Sequence, residues 1–382
     1  MIVTAEITAV TFLKGYVRHL GQNGWDVRII GRSTGRLEPW AQSEGAVGLS
    51  VGFEREPAPL ADVKALAQTL RLLLKDRPDV VVTATPKAGL LGTVAAWIAR
   101  VPVRVYQVWG LRLETETGLK RRVLAALERV AVMASTQVVA NSASLAEELA
   151  SEGLVGRRPV RVLGAGSSHG VDVMHFAPSS GGPLDDGTRR FLALQPDDLA
   201  IVFIGRLAID KGIDTLVQAL GMCRDRGRRV RALIVGPVEN VDVGSLVPDA
   251  VSDLVHLVGS ATDVRPYIAA ADVLCLPTLR EGFPNVVLEA ASMGVPAIVS
   301  DATGAVDSVV AGVTGQVFPV GDAAALADAI ERYIDDPEQV RRHGEAARER
   351  AVNDFEQSRI WDLQLDNIEQ QWARSRGAGR SR

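Results

Sequence analysis

The sequence predicts an α/β protein made of two halves, each a parallel sheet wrapped by helices. Short Val/Ile-rich runs such as Asp79–Thr83, Val103–Val108 and Leu199–Ile204 alternate with longer stretches of helical spacing. That alternation makes parallel strands joined by crossover helices. The chain has 382 residues, the length of about two ordinary domains. Between the halves lies Gly164–Gly182, rich in Gly and Ser with Pro178 inside it and Pro183 just beyond, after which the alternation starts afresh. The expected division is 1–175, 176–355, and a closing segment 356–382.

The first half opens on a very short strand, Met1–Ala5, followed by helical spacing at Val10, Leu13, Val17 and Leu20 that closes at Gly21 and Gly24. Trp25–Gly31 reads as a strand, Leu60–Leu74 as a helix, Asp79–Thr83 as a strand and Lys87–Arg100 as a helix. Val103–Val108 is a strand, Leu119–Met133 a long helix and Gln137–Ala140 a strand, after which Asn141 and Ser142 cap another helix. Ligands of parallel sheets gather at the carboxyl ends of strands, which singles out Thr85–Gly89 and Trp109–Thr115. His169 sits in the glycine-rich crossing, where a lone loop histidine is ordinarily solvated.

The second half begins with strand Leu199–Ile204, the loop Gly205–Gly212 and a helix to about Cys223. Arg206 offers a planar fork to a diphosphate and Lys211 a point charge, both near a helix start. Arg231–Gly236, Val255–Gly259 and Val295–Ser300 are further strands, and helices from Ala323, Pro337 and Phe355 finish the chain. The basic tail Arg374–Arg382 reads as disordered.

The most informative stretch is Leu279–Glu289. A buried strand, Ala271–Pro277, leads into a polar turn with Gly282 and Pro284, then an amphipathic helix from Asn285 to Met293. A helix starting at the carboxyl end of a parallel strand presents backbone N–H groups and a partial positive charge, which suits a phosphate. Glu281 and Glu289 bracket the turn. Phosphate repels carboxylates, so these two are suited to hydroxyls on either side of a diphosphate. The plainer alternative is a first-turn glutamate and a solvated helix glutamate.

Composition narrows the class. Hydrophobic content of 47% with 5% aromatics fits a soluble α/β protein, and no run approaches the length of a membrane-spanning helix. Cys223 and Cys275 stand in apolar contexts and build no disulfide framework, which fits a reducing cytoplasm, and no signal peptide is visible. The net charge of −4 is uneven: residues 1–180 carry 21 Lys+Arg against 16 Asp+Glu, or +5, leaving −9 for the remainder. The basic half includes Lys120–Arg122 and Arg157–Arg158 and suits an anionic substrate or the inner face of an anionic membrane; scattered solvated side chains are the alternative. Basic residues without interleaved aromatics, and an acidic balance, argue against nucleic acid.

Glu281 and Glu289, with seven residues between them at a strand–turn–helix, resemble the signature of retaining GT-B glycosyltransferases. Thr85–Gly89, Trp109–Thr115 and Val162–Asp172 resemble the capsular-polysaccharide branch of family 4 of these enzymes. The resemblance runs from about Thr8 to about Ile334. It implies a GT-B fold, two Rossmann-like doubly wound domains facing across a cleft. It also implies transfer of a hexose-type sugar, with retention and without a metal, from a nucleotide diphosphate sugar such as a UDP-sugar. The chain contains no Asp-x-Asp for a metal-dependent site. The acceptor would be a hydroxyl, on a lipid-linked saccharide for cell-surface polysaccharide or on another glycolipid or secondary metabolite. A nucleotide-sugar epimerase and a non-enzymatic sugar-binding protein are the competing functions.

The resemblance assigns residues as well. Glu281, Arg206 and Lys211 would be catalytic, with Arg206, Lys211 and the helix start at Phe283–Val286 holding the leaving diphosphate. Gly205, Val258, Gly282, Phe283, Pro284, Asn285, Val286 and Glu289 would line the donor site, Val258 near the base and Glu289 at the ribose. Gly15 is the one glycine left for a contact from the first half. Lys87, Trp109 and Arg112 would meet the acceptor. Relatives carry histidines where Ala84 and Trp109 stand.

Overall fold

The computed structural model describes residues 1–54, 58–194, 198–239 and 241–379. It separates into two compact units, Met1–His169 with the chain from Ser358, and Gly170–Gln357. The divisions therefore fall at 169/170 and 357/358 rather than at 175/176 and 355/356. The reason is local: Val171 N–H donates to Phe355 O at 2.8 Å and Gln357 N–H to Val171 O at 3.0 Å, so both crossings belong to the second unit.

The first unit holds seven parallel strands: β1 (Ile2–Ala5), β2 (Arg28–Arg32), β3 (Val47–Ser50), β4 (Val80–Ala84), β5 (Val103–Val108), β6 (Gln137–Ala140) and β7 (Val160–Val162). Their spatial order is β3-β2-β1-β4-β5-β6-β7. The second unit holds β8 (Leu199–Ile204), β9 (Val230–Val235), β10 (Val255–Gly259), β11 (Val273–Leu276), β12 (Ala297–Ser300) and β13 (Gly315–Phe318), ordered β10-β9-β8-β11-β12-β13. All pairings are parallel. Helices on both faces explain why β6, β11 and β12 are buried along their whole length, and hence why these strands read as continuous apolar runs without alternation.

Three sequence expectations change. The spacing Val10–Leu20 is not one helix but two, Glu6–Phe12 and Tyr16–Gln22. Gly15 separates them with φ of 78°, a backbone only glycine adopts cheaply. β3, β7 and β13, each of three or four residues, carry too little pattern to be read from sequence. The basic tail is not disordered through residue 379: the last helix runs Gln357–Gly379, and residues 380–382 lie outside the described residues. Trp361, Leu365, Ile368 and Trp372 form its inward seam against the first unit's core. Arg376 sits over the Trp372 ring at 4.9 Å, which gives one tail cation a structural partner.

A buried amide pair pins that helix. Gln137 and Asn367 exchange two hydrogen bonds, each 2.9 Å, and Gln364 donates to Ser168 O at 2.7 Å. Asn367→Leu is expected to lower the unfolding free energy of the first unit by about 2 kcal/mol, because Gln137 would lose both bonds in a buried place. Urea titration of the full chain checks this, and an unshifted midpoint would show that the pair contributes nothing.

Candidate active site

All six strands of the second unit point their carboxyl ends to one edge. Chain order there reverses beside β8: β9 and β10 lie on one side, β11 on the other. Loops that diverge at such a point leave a crevice, the usual place for a ligand in a doubly wound sheet.

The loop after β8 runs Gly205–Ala208, makes one tight turn at Ile209–Lys211, and enters helix Ile213–Asp225 through Gly212. The loop after β11 runs Pro277–Pro284 and enters helix Asn285–Ser292. Several bonds clasp the two loops. Leu279 N–H and Thr278 Oγ1 both donate to Asp210 O, at 2.9 and 3.1 Å, and Arg280 reaches the Asp210 carboxylate at 3.0 Å. Ser300 Oγ donates to Thr278 O at 2.5 Å and Glu281 N–H to Thr303 O at 2.9 Å, tying in the loop after β12. Glycines allow the closeness: a Cβ on Gly212 would lie 2.0 Å from Pro277 O, and one on Gly304 would lie 2.6 Å from the carbonyls of Glu281 and Gly282.

Inside this clasp the charges meet. Lys211 Nζ forms an ion pair with Glu281, both side chains largely buried. Arg206 bonds Glu239 and lies 3.7 Å from Asp210. Burial opposes the charge of Arg206, but the Glu239 bond and the nearby carboxylates of Asp210 and Glu281 more than offset it and raise its pKa. A buried cation without an anion is costly, so each cation here is matched by a carboxylate. No side chain caps the start of helix Asn285–Ser292, since its cap position is Pro284. The structure thus brings Arg206, Lys211, Glu281 and that helix start together. Lys211 and Glu281 touch each other, however, where the sequence reading gave them separate parts of a ligand.

Other expected site residues fall as follows. Gly205 and Val258 stand at the carboxyl ends of β8 and β10. Gly282 lies in the clasped loop beneath Gly304. The Phe283 ring stacks at 5.3 Å on Phe355 in a small core, so this residue has only backbone to offer a ligand. Asn285 and Val286 form the first turn of the helix. Glu289 lies one turn further on, and burial pushes its carboxyl up to about 7.

In the first unit, Lys87, Trp109 and Arg112 follow the carboxyl ends of β4 and β5. Lys87 pairs with Asp62 at 2.8 Å, and Trp109 packs on Phe12 at 5.2 Å. Thr85, a β-branched residue, holds φ of 70° at this edge, its hydroxyl 2.7 Å from that of Thr4, and local strain of this kind is common at binding sites. Gly15 has its own explanation: its N–H goes to Glu44 at 3.1 Å, and a Cβ would strike Trp361 at 2.5 Å. That contact to a phosphate is therefore withdrawn. His169 is not a solvated histidine either. Ser168 Oγ lies 2.7 Å from its Nδ1, Phe12 meets it edge-on at 4.9 Å, and burial lowers its pKa to about 4.

Sequence reasoning missed Asp210, Glu239 and Arg280. Asp210 lay in plain view between Arg206 and Lys211, and its position one turn after Arg206 was the available signal. Glu239 follows β9 and carries no local pattern.

The raised pKa of Glu289 has a measurable consequence. A carboxyl whose folded pKa lies above its unfolded value stabilises the fold fully below about pH 4.5, and that contribution is lost as pH rises to about 7. Glu289→Gln removes the titration, so the melting temperature of the variant should gain on the wild type between these two pH values. A constant difference would show that the group titrates normally.

Comparison with known proteins agrees with this architecture. Residues 8–166 match the glycosyl transferase 4-like domain and residues 198–336 the glycosyl transferases group 1 model. The capsular polysaccharide biosynthesis glycosyltransferase CapM of Staphylococcus aureus is 33% identical, with 93% of this chain and 92% of that protein aligned. An Escherichia coli UDP-Gal:α-D-GlcNAc-diphosphoundecaprenol α-1,3-galactosyltransferase is 26% identical, with 90% of each covered. Sucrose-phosphate synthase from Thermosynechococcus elongatus superposes with a TM-score of 0.77 at 22% identity, covering 94% of this chain and 92% of that one. The chain belongs to the group 1, family 4 glycosyltransferases of the capsular-polysaccharide type, built on the GT-B fold.

Proposed function

We propose that this glycosyltransferase moves a hexose-type sugar from a UDP-sugar to a hydroxyl of a lipid-linked saccharide, with retention and without a metal, at the inner face of the cell membrane. The observation that carries the reading is the meeting of Arg206, Lys211 and an uncapped helix start where the strand order reverses. The donor and acceptor classes follow the E. coli relative, whose name specifies UDP-Gal and a diphosphoundecaprenol saccharide.

The diphosphate takes the place of carboxylates. As it enters, Lys211 exchanges Glu281 for a phosphate oxygen, and Arg206 turns its fork from Glu239 to the same group. Glu281 is released to accept hydrogen bonds from the sugar's hydroxyls, and Glu289 from the ribose. The bond from the anomeric carbon to the diphosphate oxygen then breaks while the acceptor oxygen bonds on the same face. The departing phosphate oxygen takes the acceptor's proton, so no separate base is required. Negative charge grows on the leaving diphosphate, and two preorganised cations with a helix dipole stabilise it more than the ground state.

Incubation with UDP-sugars and lipid-linked saccharide, with the product's anomeric configuration read by NMR, tests this. Retained configuration and a rate unaffected by EDTA are expected. Inversion, or activity lost to EDTA and restored by Mg²⁺, would overturn the mechanism.

A further inference from the structure

Helix Gly118–Ala134 packs the wrong way round for an ordinary surface helix. Its small side chains, Ala125, Ala131 and Ala134, are buried together with Val132. Its large apolar ones, Leu119, Val123, Leu127, Val130 and Met133, face solvent, with Leu119 76% and Met133 70% exposed. Spacings of three and four residues place these five on one stripe about 120° wide. Among the exposed positions of this helix the charged residues are Lys120, Arg122 and Arg129, and none is acidic. Glu128 is turned inward, bonded to Tyr106 at 2.6 Å. The neighbouring helix Pro86–Ile98 runs in the same direction, as successive crossovers of a parallel sheet do, and ends on the exposed Trp97 and Ile98.

We infer that this helix face is a docking surface for an anionic lipid bilayer. An apolar stripe edged by cations, with an aromatic residue beside it, is the composition of a helix lying in a membrane interface. A second copy of the chain fits poorly, because a two-fold contact would set Arg122 and Arg129 against themselves with no acid in the stripe to compensate. The remaining basic residues are engaged in structure: Arg158 donates to Val132 O and Ser135 O at the helix's carboxyl end, and Arg121 pairs with Glu152. The surface deepens the lipid-linked acceptor reading by naming what holds the enzyme where such an acceptor lies.

Co-sedimentation of the full chain with vesicles of phosphatidylcholine, with and without phosphatidylglycerol, tests the inference without donor or acceptor. Binding to the anionic vesicles, weakened by salt, is expected. Val123→Glu with Leu127→Glu should lower it at least about tenfold. Arg122→Gln should lower it about fivefold, the value of one cation at an anionic surface. All three positions are exposed, so the melting temperature should stay unchanged. Equal binding to neutral vesicles, no binding to either, or a dimer that the Val123→Glu/Leu127→Glu variant dissolves would overturn it. Failure of the donor reading would instead appear as absent UDP-sugar turnover with vesicle binding intact.

Discussion

Lys211→Ala is expected to slow sugar transfer by about 10²–10³-fold, the usual cost of removing one preorganised group that stabilises transition-state charge. Lys211 is the cation closest to the helix start through its bond to Glu281, and it is largely buried, so water cannot replace it well. Its affinity for UDP should fall together with that for the UDP-sugar, since both carry the diphosphate. The variant also leaves Glu281 buried without its counter-charge, which by itself weakens the loop. Lys211→Ala combined with Glu281→Gln separates the two effects. Restored stability without restored turnover assigns the loss to chemistry, whereas unchanged UDP affinity in calorimetry would show that no phosphate meets Lys211.

Gly212→Ala should cost the second unit about 2–5 kcal/mol, a sum of left-handed backbone strain and overpacking. Gly212 holds φ of 63°, and a methyl group there would lie 2.0 Å from Pro277 O. Relief requires the loops after β8 and β11 to part, which stretches the Asp210 bonds to Leu279 and Thr278. The expectation is therefore a coupled loss: a lower urea midpoint for the second unit and weaker nucleotide binding in the fraction still folded. Full stability in the variant would mean that the loops separate without cost, and the clasp would lose its claim to position the site.

These two results bear on what could be read before folding. Strands such as β8 and β11 were visible because both faces are buried, which forces continuous apolar runs; β3, β7 and β13 are too short to leave a period. Gly282, Pro284 and Glu281 were legible because a strand–turn–helix needs those residue types within a few positions. Gly15 was misassigned for the converse reason. Its glycine requirement comes from Trp361, 346 positions away, and nothing near Gly15 announces a tryptophan from the last helix.

Local order in the chain thus decided the strands, the helix starts, the two-part α/β organisation and the identity of the charged groups, since each depends on residues within a turn or two. The pairing of Lys211 with Glu281, of Arg206 with Glu239, and the neutral tendency of Glu289 emerged only on folding. Those properties depend on which loops a parallel sheet brings to one edge and on how much water is excluded there, and neither quantity is written in any single stretch of residues.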